Sequence, residues 1–162
     1  RSALRVGCEA GTEGATPAQA LKLILDANVV FSAAHRERGN AQALVALARV
    51  GGCTLQSSAH AIEEARRNLA LKSSGHEKRL ADVLAQIEVV AEAPPALVEW
   101  ARNEGLPLKD APILAAAVQA GAEALVTGDA RDFGSLYGRT LRGVQVLAPA
   151  RALALVLKDA AV

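Results

Sequence analysis

The sequence predicts an α/β fold, a three-layer α/β/α sandwich around a mostly parallel sheet of about five strands. Three observations carry that prediction. Short apolar runs alternate with helical stretches along nearly the whole chain, the pattern of repeated strand–helix units. The apolar runs are continuous rather than alternating, as strands buried on both faces require. Alanine fills about a fifth of the 162 residues, which favours helices that pack closely through small side chains.

The elements follow in order. Leu21 to Leu25 is a short apolar run, stopped at once by Asp26, and reads as the first strand. Residues 27–34 and 40–50 read as helices, the second ended by Gly51-Gly52. Residues 53–56 form a second strand, and Ser57 or Ser58 can cap a helix over 59–71. Ser73-Ser74-Gly75 breaks it before a helix over 76–85, and Ile87 to Val90 is a third strand. Pro94-Pro95 opens a helix that Gly105 ends, and Asp110-Ala111-Pro112 starts another that Gly121 stops. Residues 124–127 and 144–147 are the fourth and fifth strands, and a last helix starts near Pro149. Residues 1–20 lack such a pattern and read as a leader or appended segment, loosely ordered, before a single domain over 21–162.

Composition narrows the function classes. A formal charge of +1 gives no overall electrostatic footprint for nucleic acid, so such a partner needs a local basic patch. With aromatics at 2%, base stacking is excluded as the main source of affinity. Cys8 and Cys53 form neither a disulfide framework nor a metal-ligand spacing, and suit a reducing cytoplasm. The three histidines, His35, His60 and His76, fall on segments that do not converge by spacing, so a zinc set is not expected. No apolar run is long enough to span a membrane.

Ligands of open parallel sheets bind beyond the carboxyl ends of the strands. Asp26 and Asp129 each follow a strand, and Asp110, at a helix start, can face the same crevice. Each has a plainer reading: Asp26 and Asp110 as helix caps, Asp129 as a turn residue. Together they form a carboxylate group that needs a counter-charge, and a hard cation such as Mg²⁺ or Mn²⁺ supplies it. The chemistry that follows is metal-assisted attack on a phosphate ester.

Four segments then resemble the PIN-domain family. Leu23-Ile24-Leu25-Asp26-Ala27-Asn28 is similar to its opening strand, with Ala27 where Thr is frequent. Residues 58–69 resemble its acidic helix. Lys109-Asp110-Ala111-Pro112 and Val126-Thr127-Gly128-Asp129-Ala130-Arg131-Asp132 resemble its third and fourth acidic segments. The resemblance spans about residues 21–150. It implies a Mg²⁺- or Mn²⁺-dependent endoribonuclease acting on single-stranded RNA, frequently the toxin of a VapC-type toxin–antitoxin pair. It also implies a cytoplasmic homodimer with an antitoxin partner. Carried residue by residue, Asp26, Glu64, Asp110 and Asp129 are the catalytic and metal-binding quartet, braced by Asn28 and Thr127, with Asp132 as a further acid. Helical phase does not choose between Glu63 and Glu64; spacing within the resemblance favours Glu64. Arg66, Arg67 and Arg131 are the candidate RNA contacts, with Lys72, Lys78, Arg79, Arg139 and Arg142 nearby in sequence, although interspersed acids allow ordinary surface pairing instead. The helices over 40–50 and 59–85 are the candidate dimer face. Two other readings stay open: a phosphatase resembling the haloacid-dehalogenase superfamily, with Asn28 where its second Asp normally stands, and an inactive module that binds RNA or protein.

Overall fold

A computed structural model of the chain describes residues 20–72 and 75–160. The leader with Cys8, and most of the Ser73-Ser74-Gly75 break, lie outside them. The elements are β1 (Lys22–Leu25), α1 (Ala27–His35), α2 (Asn40–Arg49), β2 (Thr54–Ser58), α3 (Ala59–Lys72), α4 (Glu77–Leu84), β3 (Ile87–Val90), α5 (Pro95–Asn103), α6 (Ala111–Ala120), β4 (Ala124–Val126), α7 (Ala130–Phe133), β5 (Thr140–Leu141), β6 (Val144–Leu147) and α8 (Pro149–Ala160). They form the expected three-layer α/β/α sandwich. The sheet order is β3-β2-β1-β4-β6-β5, parallel except for the β5–β6 pair.

The sheet has one strand more than the sequence suggests. Strand β5 is two residues long and pairs Thr140 with Gln145 and Leu141 with Val144. The turn between them is Arg142-Gly143, both at positive φ (49° and 87°). Both central residues of a mirror-image hairpin turn need that geometry, and Asn-Gly is its usual sequence mark. Arg-Gly carries no such mark, which is why the hairpin is invisible in the sequence. One boundary shifts and one short helix is added. Strand β2 runs on to Ser58, and α7 follows Asp129 directly.

Strand β1 is buried on both faces: Leu23, Ile24 and Leu25 are at most 1% exposed. Helix α6 shows what the alanines do. Ala111, Ala115, Ala116 and Ala117 are fully buried, so the helix backbone lies close against β2 and β4. Helix α1 packs on α3 and α4, α5 packs on α6, and α8 rests on α2, β4 and β6. Several terminators act as the sequence predicts. Gly121 closes α6 in the left-handed region (φ 69°), and Pro95 occupies the first turn of α5. Ser58 caps α3 by accepting from the Ala61 N–H at 3.1 Å. Ser57 turns the other way and donates to the Leu25 carbonyl.

Two of the histidines meet, although their spacing does not announce it. His35, at the end of α1, and His76, just before α4, bring their rings to 5.4 Å, and Phe31 stacks on His35 at 5.1 Å. Packing of α4 against α1 brings them together, a long-range contact that sequence spacing does not encode. His60 stands elsewhere, exposed at the start of α3. Cys53 is buried and unpaired, and burial pushes its thiol up to about 11. Among the described residues no helix is long and apolar enough to cross a membrane.

Candidate functional site

The order of the sheet sets the place of the site. From β1 the chain crosses to β2 on one side, and it returns much later to lay β4 on the other. The direction of winding therefore reverses between β1 and β4, and such a reversal opens a crevice at the carboxyl ends of the strands. Leu25 pairs with Val126 at that end. The next residues on the two strands are Asp26 and Thr127. The Asp26 N–H donates to the Val126 carbonyl and the Thr127 N–H to the Leu147 carbonyl, so both residues continue the ladder just past the strands.

Asp26 is 8% exposed, and both of its oxygens are engaged. Oδ1 accepts from the Ala27 N–H at 2.8 Å, capping α1. Oδ2 accepts from the Thr127 hydroxyl at 2.8 Å and from the Asn28 amide at 3.0 Å. Asp26 thus caps α1 through one oxygen and is held by Thr127 and Asn28 through the other. Burial holds the carboxyl above the ordinary range; the Thr127, Ala27 and Asn28 hydrogen bonds work against that, and the Glu64 charge adds to it.

Thr127 and Asn28 fix the turn that follows β4. The Asn28 carbonyl oxygen accepts from the Gly128 N–H at 2.7 Å. Thr127 Oγ1 accepts from the Asp129 N–H at 3.1 Å, and the Tyr137 hydroxyl donates to the Thr127 carbonyl at 2.7 Å. Asp129 in turn accepts from the Asp132 N–H at 3.1 Å and caps α7. At Gly128 a side chain would crowd Asn28. A Cβ would stand 3.2 Å from Asn28 Oδ1, the oxygen that accepts from the Gly128 N–H. Gly128→Ala is expected to weaken this brace, lowering stability by about 1 kcal/mol and the melting temperature by about 3 °C, read by thermal denaturation.

Asp110 stands at the start of α6, yet its side chain makes no capping bond there. It is buried (8% exposed) and faces the crevice instead. Burial pushes its carboxyl up to about 6, with Lys109 opposing and the Asp26 charge adding a smaller push. Asp110, Asp129 and Asp132 each present an oxygen, and the three lie within 4.8 Å of one another. Asp132, placed by the sequence as a further acid, is therefore part of the tightest group among the described residues.

One residue of this group escaped the sequence reading. Lys109 sets its ammonium 2.8 Å from Asp132 Oδ2, 3.0 Å from Asp110 Oδ2 and 3.9 Å from Asp129 Oδ2. The Lys109 hydrogen bond holds the Asp132 carboxyl below its ordinary range, and the two short contacts raise the lysine itself. The only signal in the sequence is a lysine next to Asp110, which solvent-facing lysines share. Tyr137 was likewise unmarked.

The two candidate glutamates face differently. Glu63 is exposed and pairs with Arg66 at 3.5 Å. Glu64 borders a cleft of about 210 Å³ together with Asn28, Phe31, Asn68 and Lys72, close enough to raise Asp26. Arg67 and Arg131 are exposed, Lys78 pairs with Asp82, and Arg79 is occupied by Glu37 and the Ala34 and His35 carbonyls.

The donor set suits a hard divalent ion. It offers carboxylate oxygens and no sulfur or imidazole, and the structure already gathers a cationic group, the Lys109 ammonium, onto the same three acids.

Comparisons with known proteins agree with this architecture. The chain is similar to the crystal structure of PAE2754 from Pyrobaculum aerophilum, with 20% identity and a TM-score of 0.61, over 86% of this chain and 98% of that one. It is similar to VapBC2 from Rickettsia felis, solved bound to a DNA fragment from their promoter, with 18% identity and a TM-score of 0.56, over 79% of this chain and 98% of that one. It is also similar to Mycobacterium tuberculosis VapC20, a toxin that cleaves the sarcin-ricin loop, with 14% identity and a TM-score of 0.51, over 70% of this chain and 94% of that one. At these identities the likeness is one of fold. No protein with a curated description matches the sequence. A family profile described as PIN domain matches residues 22–131, most of the chain, including Asp26, Glu64, Asp110 and Asp129. The chain belongs to the PIN-domain family.

Proposed function

We propose that this protein is a metal-dependent endoribonuclease that hydrolyses phosphodiester bonds of single-stranded RNA, with Mg²⁺ or Mn²⁺ as its ion. The observation that carries the reading is the convergence of Asp110, Asp129 and Asp132 within 4.8 Å, beside the buried and braced Asp26, where the sheet reverses its winding. Asp26, Glu64, Asp110 and Asp129 are the residues we assign to the ion and to catalysis, with Asp132 supporting them.

When bound, a divalent ion supplies charge compensation for the phosphate and acidifies water. The protein does the rest. Thr127 and Asn28 hold the Asp26 carboxylate in one orientation, so the acid need not reorganise as substrate arrives. The Asp129 carboxylate is aimed by its bond from the Asp132 N–H. Glu64, on the rim of the cleft beside Asn28, is the residue we assign to orient water or the ion. Arg67, Arg131 and the cleft residue Lys72 offer positive charge to the phosphates of an RNA strand; Arg66, paired with Glu63, offers less. Asn28 is committed to Asp26 and Gly128, which leaves no second acid two residues after Asp26 and speaks against the phosphatase reading.

The similarity to VapC20, a toxin, and to VapBC2 supports a toxin role; a cognate antitoxin as partner and a homodimer as working form belong to the same proposal. The test is cleavage of a fluorescent single-stranded RNA. Cleavage is expected in Mn²⁺ or Mg²⁺ and is expected to stop in excess chelator; cleavage that continues in chelator overturns the reading.

A further inference from the structure

The acid cluster brings its own cation. Lys109 lies on the segment between α5 and α6, next to Asp110, and its side chain is 68% exposed, so it reaches the cluster from the solvent side. Its nitrogen touches Asp132 and Asp110 at 2.8 and 3.0 Å and stands 3.9 Å from Asp129. Those are the same three carboxylates whose oxygens lie within 4.8 Å of one another. A divalent ion bound by these oxygens needs contacts of about 2.1 Å to them. The ammonium occupies that space, and two cations cannot share it.

We propose that Lys109 is a built-in counter-ion that competes with the divalent metal for the acidic site and swings out when metal binds. This rests on the metal-dependent reading above and adds to it a regulation of the same site. The physical case is a balance of two charges. Without a counter-charge, three close carboxylates, one of them buried, repel one another and favour protonation. With Lys109 in place they stay together, preorganised for a cation. The same contact taxes metal affinity, because each metal ion must first break the lysine's ion pairs. Exposure of the side chain makes that displacement cheap in steric terms: no packed core has to open. Lys109 is in this sense a positioning residue, which keeps the acids assembled while no metal is bound.

The test uses the full chain and Mn²⁺ itself. Binding is measured by calorimetry, and by loss of the free Mn²⁺ paramagnetic resonance signal, for wild type, Lys109→Met and Lys109→Arg. Two partly exposed ion pairs, each worth a few-fold, predict that Lys109→Met binds Mn²⁺ about tenfold more tightly. Lys109→Arg keeps a cation and is expected to stay near wild type. In metal-free buffer Lys109→Met is expected to melt at a lower temperature than wild type, with the loss recovered by saturating Mn²⁺. Equal or weaker Mn²⁺ binding by Lys109→Met overturns the proposal while leaving the metal reading standing. Absence of Mn²⁺ binding to all three proteins overturns the metal reading, and the proposal with it.

Discussion

Asp26→Asn is expected to lower RNA cleavage at least about a thousandfold while leaving the fold in place. The size follows from what the carboxylate does: removing a preorganised charge at a phosphate-transfer site costs several kcal/mol of transition-state stabilisation, and about 4 kcal/mol is three powers of ten. The fold survives because Asn keeps the shape. Its carbonyl oxygen can still accept from the Ala27 N–H, the bond that caps α1. Its amide would meet the Asn28 amide, donor against donor, in place of the 3.0 Å bond, a loss of about 1 kcal/mol. Against that loss stands a gain with a definite pH dependence. Burial holds Asp26 above the usual carboxylate range, so the folded protein favours the neutral acid. Stability from that preference is fully present below the unfolded pKa and is lost as pH rises through the folded one. Asn carries the neutral form at every pH. The melting temperature of Asp26→Asn relative to wild type, in metal-free buffer, is therefore expected to rise from pH 4 upward. A variant that still cleaves RNA at the wild-type rate would remove Asp26 from the site.

Phe133→Ala is expected to have the largest effect on stability. The ring is fully buried, and it is the bulkiest side chain in the core to be so. Truncating a buried Phe leaves a cavity that its surroundings fill only in part, at a cost of about 4 kcal/mol. For a domain of this size that lowers the melting temperature by about 12 °C. The effect reaches the site as well. Phe133 ends α7, its N–H donates to the Asp129 carbonyl, and Asp132 directly precedes it. The ring is the anchor that holds this short helix down, and with it two of the three clustered acids. Mn²⁺ affinity at a temperature where the variant is still folded is expected to fall with it. Phe133→Leu fills most of the volume and is expected to recover most of both properties; chemical denaturation and Mn²⁺ titration check the pair.

What the sequence shows of this site depends on whether a residue's role is local. Asp26 and Asp129 are legible because a continuous apolar run followed by an acid marks a strand end, and parallel strands put such ends on one edge. The alternation of strands and helices marks the layers for the same reason. Asp110 is harder. Its position before Ala111-Pro112 reads as a helix cap, and only burial at the crevice, a property of the whole sheet, turns the side chain away from the cap. Glu63 and Glu64 flank the apolar stripe of α3 on equal terms, and the packing of α3 against α1 is what sends one to solvent and the other to the cleft. Tyr137 and the His35–His76 pair have no local mark, and Lys109 has only its place beside Asp110. Their partners are set by tertiary packing: Lys109 reaches Asp132 across 23 residues, and His35 meets His76 through the packing of α4 on α1.

The pairing of β1 with β4 has a consequence for how the protein is made. Asp26 and the Thr127 hydroxyl that orients it are 101 residues apart, and Lys109 meets an acid 23 residues ahead of it. During synthesis the first acid leaves the ribosome long before its partners exist. A nascent chain that has not yet released β4 carries Asp26 without its brace, and Asp110 without Asp129 or Asp132. Closing such long loops is also the slow part of folding, because their entropy is lost before distant contacts repay it. The site needs both halves of the chain, and a truncated chain lacking β4 has no cluster to carry. A chain truncated before β4 is therefore expected neither to bind Mn²⁺ nor to cleave RNA.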